Sequence, residues 1–190
     1  MNTNNTQPSM SRIWTLGLLV LAASLGTVAL ALDTAALDKE VSATLDHFYT
    51  LNDQNKSLAN GAAGVLVFPA ITKAGAGIGG EHGEGALLQK GKTVGYYSTS
   101  GASVGLTLGA SRHSEVVLFN TQDALNKFLN SKGWSIGADA SVAVVKTGAG
   151  GRYDTQSLSK PVLAFVFGEK GLMGDVSLSG GKINKLDTSK

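Results

Sequence analysis

The first periodic stretch of the chain is amphipathic. Four apolar residues recur at helical spacing between positions 33 and 53: Leu37, Val41, Leu45 and Phe48. Acidic residues occupy other positions around the same cylinder, and Asp33 or Thr34 can cap its start. The pattern predicts an N-terminal amphipathic helix, followed by a polar linker with a short helical stretch to about Gly61.

Beyond Gly61 the apolar positions follow the period of β-strands. Strand-like runs occupy residues 64–69, 84–89, 92–98, 102–110, 114–119, 136–145, 161–168 and 172–180. Pro69 is expected to end the first run, and Lys90 with Gly91 is expected to form a hairpin turn. We therefore predict an α+β fold with a strongly curved or barrel-like antiparallel sheet.

One further helix is predicted near residues 121–131. Thr121 is a suitable N-cap, and Gly133 follows the last helical position. Together with the N-terminal amphipathic helix, it completes the helical part of the predicted fold.

Glycines are concentrated in the strand region. The chain has 25 glycines, and Gly75, Gly77 and Gly80 match the G-x-G-x-x-G pattern of dinucleotide-binding turns. That site needs a helix after the glycines and an acid about 20 residues further on. Here a strand pattern follows and residues 93–103 contain no acid, which argues against a nucleotide cofactor.

The glycines instead predict bends, bulges and close backbone approaches in a curved sheet. We expect Gly75, Gly77 and Gly79 to lie on one face of a strand against which another segment packs closely. On this interpretation the glycines shape the sheet and hold no phosphate.

Two further motifs resemble reactive sites but lack their context. Ser103 lies in a G-x-S-x-G match, yet the alternating pattern around it predicts a strand rather than a strand-to-helix elbow. The metal-ligating candidates are Glu81, His82 and Glu84, with His113 or Asp139, but neighbouring strand residues point to opposite faces, so at most two of the first three converge. We therefore predict no catalytic residues, no metal site and no cofactor.

The first 31 residues resemble a targeting segment. Arg12 precedes residues 13–32, which carry no charged side chain. The small residues Ala29 and Ala31 come just before the expected cut at Leu32. Such a run is also long enough, at about 20 residues, to remain as a membrane anchor. The expected division is a signal peptide or retained anchor over 1–31, helix and linker over 32–60, and a glycine-rich β domain over 61–190.

The charge balance and the cysteine content limit the classes of partner and anchor that are expected. Without Arg12, the 16 basic residues become 15 against 14 acidic ones, a balance that gives no support for nucleic-acid binding. There is no cysteine, so neither a disulfide nor a lipoprotein anchor is available. The basic residues predicted to be exposed and able to meet phosphate headgroups are Lys73, Lys90, Lys92, Arg112, Lys146, Arg152, Lys160 and Lys170.

Four segments, in order, resemble the SYLF domain, also called the Ysc84-like domain. They are 64-GVLVFPAITKAGAGIGGEHGEGALL-88, 118-LFNTQDALNKFL-129, 136-IGADASVAV-144 and 169-EKGLMGDVSLSGGKI-183, and the likeness spans about residues 36 to 186. The resemblance implies a lipid-binding module rather than an enzyme. Eukaryotic members bind phosphoinositides, partly through an N-terminal amphipathic helix, and one group is tied to actin. Bacterial members are typically exported envelope proteins, which fits the segment before residue 32.

The N-terminal helix departs from that pattern because it is acidic. Lys39 is its one basic residue among five acids: Asp33, Asp38, Glu40, Asp46 and Asp53. An anionic bilayer would repel this face, so membrane contact is expected from the sheet domain, a retained signal or a partner. Actin is not carried over to an exported chain.

Two functions therefore stay open. The first is a non-catalytic protein of the periplasm or cell envelope that binds phospholipid or a membrane surface. The alternative is a structural or interaction module that docks onto an envelope protein without lipid specificity. The first predicts basic side chains together on one face beside exposed apolar residues, whereas the second predicts an apolar patch without such charges.

Overall fold

The computed structural model describes residues 32–136, 141–146, 153–171 and 181–188, without the side chains of 103–108 and 146. The described residues belong to a compact unit that spans Ala31–Lys190. Among them, no helix is both long and apolar enough to cross a membrane. The expected signal segment and the expected strand at 172–180 lie outside the described residues.

Two helices precede the sheet. Helix α1 spans Thr34–Leu51 and begins at Asp33, whose side chain accepts a hydrogen bond from the backbone N–H of Ala36. Helix α2 spans Asp53–Gly61 and lies within the expected linker. The four predicted apolar residues of α1 are all buried, which confirms the amphipathic helix.

The sheet is built around one long hairpin. Strand β1 spans Gly64–Gln89 and pairs along its length with antiparallel strand β2, Lys92–Phe119. Lys90 and Gly91 form the turn between them with φ angles of 50° and 73°, which confirms the predicted hairpin. Positive φ at both central residues matches the right-handed twist of the flanking strands.

The second edge of β2 carries two further strands. Strand β5, Val162–Gly171, pairs with residues 111–119, and strand β6, Lys182–Lys185, pairs with residues 97–100. Strand β3, Trp134–Ser135, extends the sheet beyond β6. Strand β4, Val142–Lys146, extends it beyond β5 and is parallel to it. The described strands form a curled half-barrel in an α+β fold, as predicted, with one parallel pair among antiparallel ones.

Two short helices complete the described chain. Helix α3 spans Gln122–Asn130 and is capped by Thr121, whose hydroxyl accepts from the N–H of Ala124. This confirms the predicted helix, although it ends before Gly133. Helix α4 spans Thr155–Leu158 and was not predicted. Of the predicted strand at 136–145, Ile136 lies outside a strand, 137–140 are not described and 142–145 belong to β4.

The prediction that Pro69 ends a strand is wrong. Strand β1 continues through it because the ladder shifts register between Phe68 and Ile71, leaving Pro69 and Ala70 without ladder partners in β2. A proline is tolerated at such a bulge since no ladder donor is required there. The five runs predicted as separate strands between residues 64 and 119 therefore form two long continuous strands, β1 and β2.

The two halves of β1 approach each other closely. A Cβ added at Gly83 would lie 2.7 Å from the carbonyl oxygen of Ala70, and one at Gly85 would overlap that of Val67. Near the bend, a Cβ at Gly75 would lie 2.5 Å from the Cα of Gly79. The predicted close backbone approaches are thus present at several glycines.

Gly77 differs from the other two glycines of the expected face. It has a φ of 81° and open space around it, and the β1–β2 register shifts between Ala76 and Ile78. Gly77 therefore supplies the bend, whereas Gly75 and Gly79 supply the close approach. The nucleotide-binding interpretation loses its context, since residues 81–89 after these glycines are strand.

Each face of the sheet is covered by its own hydrophobic cluster. The outer cluster joins α1 and α2 to the sheet, with the Phe48 and Phe165 ring centroids 5.0 Å apart. The inner cluster joins α3 and Trp134 to the opposite face around Phe119. Both faces of the sheet near Phe119 are therefore covered by packed side chains.

Candidate membrane-binding surface

The ladder between β2 and β5 brings two of the predicted cations together. Arg112 and Lys170 are Cα partners in the register, and both side chains are exposed. Within the described residues, neither forms an ion pair with an acidic side chain. Like charges at directly opposed positions of a sheet destabilise it. A bound anion would relieve this repulsion, so the pair is suited to a phosphate headgroup.

Next to this pair lies an uncharged segment around the bend in the middle of the hairpin, here called the tip and defined as residues 74–80 of β1 and 101–110 of β2. Neither segment contains a charged residue. Ile78 is 73% exposed there, more than any other large exposed hydrophobic residue of the described chain. Ala110 begins the tip two positions before Arg112 in β2, so the cations adjoin the apolar segment in sequence and in the ladder.

The other predicted cations do not join this pair. Lys90 and Lys92 lie at the hairpin turn, where the ladder ends, whereas the tip lies in the middle of the ladder; both lysines are exposed. Lys160 lines a shallow cleft of about 360 Å³ with Ser57 and Leu158. Arg152 and the side chain of Lys146 lie outside the described residues. The described cations thus form two pairs and isolated positions rather than one continuous basic face.

Lys73, predicted to be exposed, is instead buried, with 6% of its surface accessible. The bulge at Pro69 and Ala70 is the cause, because it shifts the alternation of β1 by one residue. Phe68, Ile71 and Lys73 then face the interior, where strict alternation from Phe68 would have turned Lys73 outward. Lys73 is therefore removed from the candidate surface.

The interior of the half-barrel is polar beyond its apolar cluster. On β2 the inward-facing sequence changes from Phe119 and Val117 to Glu115, and the buried positions continue at His113 and Ser111. The sequence analysis did not identify this group. The available signal was the alternation itself, since Ser111, His113 and Glu115 occur in phase with Val117 and Phe119.

Burial dominates the electrostatics of this interior. It raises the pKa of Glu115 to about 8, assisted by the charge of Glu81. Burial also lowers the pKa of His113, assisted by the charge of Lys73. Oε1 of Glu115 is buried and has no hydrogen-bond partner among the described residues. Both side chains are therefore neutral at pH 7 for most of the time.

Glu81 occupies a space that two glycines leave open. A Cβ added at Gly101 or at Gly181 would lie 2.7 Å from its Oε1. The same Cβ at Gly181 would lie 2.8 Å from the hydroxyl of Thr99. Glu81 is thus held in the interior, whereas His82 and Glu84 are exposed, and among the described residues no three metal-ligating side chains converge.

The acidic helix α1 uses one of its acids for attachment to the sheet. Asp38 accepts hydrogen bonds from the hydroxyls of Thr93, at 3.0 Å, and Tyr96, at 2.9 Å. Asp33 caps the helix, and Glu40 and Asp46 remain exposed. The exposed part of α1 is therefore still acidic, which keeps the candidate membrane contact on the sheet.

The catalytic candidate Ser103 lies inside β2, opposite Gly79. This confirms the strand interpretation of the G-x-S-x-G match, because a nucleophile elbow requires a turn between strand and helix. His113 is buried among the polar interior groups. It lines none of the clefts bordered by Lys90, Lys127 or Lys160.

Comparison with known proteins gives a family. Residues 100–189 match the family model Ysc84, described as Las17-binding protein actin regulator. The matched segment begins in β2 and contains Arg112 and Lys170, whereas the first half of the hairpin precedes it. No curated protein matched the chain. Ysc84 domains form a family of binding domains not known as enzymes, and residues 100–189 of this chain match that Ysc84 (SYLF) domain family.

Proposed function

We propose that the chain is a non-catalytic protein that binds anionic phospholipid membranes through Arg112 and Lys170. The observation that carries this proposal is the exposed pair of like charges fixed side by side by the β2–β5 ladder. Each basic residue near an anionic surface contributes about 1 kcal/mol to membrane binding. The two neighbouring cations can meet the anionic headgroups of a bilayer, and the uncharged apolar segment beside them can meet its hydrocarbon.

The family match over residues 100–189 supports a binding function of this kind but does not name the ligand. The family's description names a protein partner, Las17, and actin regulation. For this chain the arrangement of charge favours a lipid surface over an envelope protein, since the exposed apolar residue Ile78 is accompanied by cations. An apolar patch without charges would have favoured the protein partner.

Co-sedimentation with liposomes tests the proposal. Residues 32–190 are suitable because the compact unit includes both hydrophobic clusters. We expect binding to vesicles rich in phosphatidylglycerol, weaker binding to phosphatidylcholine vesicles, and loss of the difference at 1 M salt, where the Debye length is about 3 Å. Absence of binding to both vesicles would overturn the proposal and direct the search to an envelope protein partner.

We also propose that the chain is exported and works in the periplasm or cell envelope of a bacterium. The support is the arrangement of Arg12, the apolar run at 13–32 and the small residues Ala29 and Ala31. A mature protein beginning at Leu32 is expected in the periplasmic fraction, as measured by intact mass. A chain with its apolar run intact in the membrane fraction would show a retained anchor, and an intact cytoplasmic chain would contradict export.

A further inference from the structure

Beside the bend at Gly77, the apolar side chain of Ile78 is exposed to solvent rather than buried in a hydrophobic cluster. Ile78 follows the bend and is 73% exposed, compared with 44–48% for Val94, Leu129 and Val144. Ala74, Ala76, Ala102 and Ala110 around it are exposed as well. Exposing a large aliphatic side chain in this way is unfavourable in water, so a partner with an apolar interior is indicated.

We propose that the tip inserts Ile78 into the hydrocarbon boundary of an anionic bilayer while Arg112 and Lys170 contact the headgroups. This inference rests on the proposed function and specifies its mode. It assigns the tip, residues 74–80 with 101–110, to penetration and the cation pair to surface attraction. The occupant is a lipid bilayer, because the uncharged tip and the adjacent cations reproduce the order of apolar core and anionic headgroups.

The composition of the tip supports insertion. Any charged side chain in it would have to be dehydrated on entering hydrocarbon, at considerable cost, and neither segment of the tip contains one. Its backbone is paired on either side of the bend, where Ala74, Gly75 and Ala76 lie opposite Ala110, Gly109 and Leu108, but Gly77 and residues 105–107 have no ladder partner. Paired backbone groups enter an apolar medium at lower cost than free ones.

The reach of the hairpin is sufficient. Thr72 is the ladder partner of Arg112, and Ile78 follows six residues later in β1. Because the chain bends at Gly77, only the four residue steps from Thr72 to Ala76 count as extended, and at about 3.3 Å per residue they span at most roughly 13 Å. A headgroup layer is roughly 5–8 Å thick. Arg112 can therefore stay among the phosphates while Ile78 reaches the acyl chains.

The absence of cysteine from the sequence permits a direct depth measurement. Ile78→Cys and Val94→Cys are each labelled with an environment-sensitive fluorophore in residues 32–190, and vesicles contain phosphatidylglycerol with or without lipids brominated on the acyl chains. Val94 is the matched control, since it is an exposed β-branched strand residue near the second cation pair, Lys90 and Lys92. We expect a blue shift and quenching by brominated lipid at position 78 and neither at position 94.

A second variant measures the contribution of the side chain. Ile78→Ser is expected to weaken vesicle binding about tenfold to hundredfold, the loss that follows from withdrawing an aliphatic side chain from hydrocarbon. Leu129→Ser, at another exposed hydrophobic position, is expected to bind as the parent protein does. Circular dichroism checks that both variants are folded.

The outcomes separate the two proposals. Sedimentation with vesicles without a spectral change at position 78 would overturn insertion and leave the proposed function intact. A shift at position 94 alone would also overturn it and assign contact to the hairpin turn. Failure of the parent protein to sediment with any vesicle would overturn the proposed function and insertion together.

Discussion

Gly85 leaves no room for a side chain. A Cβ there would overlap the carbonyl oxygen of Val67 and lie 2.6 Å from Cδ1 of Phe68. Much of the obstruction is backbone, which cannot move aside as the end of a flexible side chain can. Gly80, in the same strand, is different because the nearest atom to its added Cβ is the carbonyl oxygen of Gly101 at 3.8 Å.

We expect Gly85→Ala to lower the free energy of unfolding by about 2 kcal/mol or more, as overpacking does in a close-packed core. Gly80→Ala is the control and is expected to change it by no more than about 0.5 kcal/mol. Urea unfolding of the two variants provides the comparison. Equal stabilities would contradict the close crossing of the two halves of β1.

Glu115 makes the folding stability of the protein depend on pH. Its pKa is raised from 4.5 to about 8 by burial and by Glu81, so the folded state favours the protonated form. The stabilisation associated with this shift is fully present below the unfolded pKa near 4.5 and is lost as the pH rises through about 8. Stability should therefore fall across this interval.

We expect Glu115→Gln to reduce the fall in the free energy of unfolding between pH 5 and pH 9, on the order of a few kcal/mol in the parent protein. Glutamine keeps the shape of the protonated acid but cannot ionise. Urea unfolding across the pH series measures the effect, with Glu84→Gln at an exposed acid as control. Parallel pH profiles of Glu115→Gln and the parent would show that Glu115 does not carry the shift.

At the scale of elements, Asp38 connects helix α1 to strand β2. Its carboxylate accepts from both Thr93 and Tyr96. We expect Asp38→Ala to lower the free energy of unfolding by about 1–3 kcal/mol, since two hydroxyls lose a charged acceptor. Chemical denaturation is the measurement.

The control for Asp38 is Glu40→Ala, an exposed acid on the same helix. Surface substitutions of this kind change stability by about 0.5 kcal/mol or less. If both variants lost the same stability, helix propensity rather than the connection to β2 would explain the effect.

Elements with local signals could be predicted from the sequence. Helix α1 follows from its apolar spacing, helix α3 from Thr121, and the hairpin turn from Lys90 and Gly91, because each signal lies within a few residues of the structure it sets. The continuity of β1 through Pro69 could not, since it depends on a bulge whose register is fixed by β2. The burial of Lys73 follows from the same bulge.

The candidate site was predictable only as a set of cations. Arg112 and Lys170 were both named from the sequence, but their adjacency depends on the β2–β5 register between strands far apart in the chain. The tip was recognised as glycine-rich, yet the exposure of Ile78 depends on the bend at Gly77. Non-local pairing thus decides which of several surface charges act together.

At the scale of the whole molecule, the residues proposed to contact a membrane lie outside the hydrophobic clusters that stabilise the fold. The two hydrophobic clusters lie where the first part of β1 meets β2 and β5, covered by α1 on one face and α3 on the other. Ile78 belongs to neither cluster and is 73% exposed. Substitutions at Ile78, Arg112 or Lys170 should therefore alter vesicle binding with little effect on folding.

The two cation pairs allow membrane docking through Arg112 and Lys170 to be tested within one protein. Arg112 and Lys170 lie beside the tip, and Lys90 and Lys92 lie at the far turn of the same hairpin. Replacing both members of a pair by glutamine removes the same charge from either place. Long-range attraction changes equally in the two variants, so any difference between them reports local contact.

The measurement is the dissociation constant of each double variant for phosphatidylglycerol vesicles at low salt. The account predicts that Arg112→Gln with Lys170→Gln weakens binding roughly 30-fold, from about 1 kcal/mol for each cation. Lys90→Gln with Lys92→Gln should bind within a few-fold of the parent protein. Equal losses in the two variants, or a larger loss at the turn, would contradict docking through the Arg112–Lys170 pair.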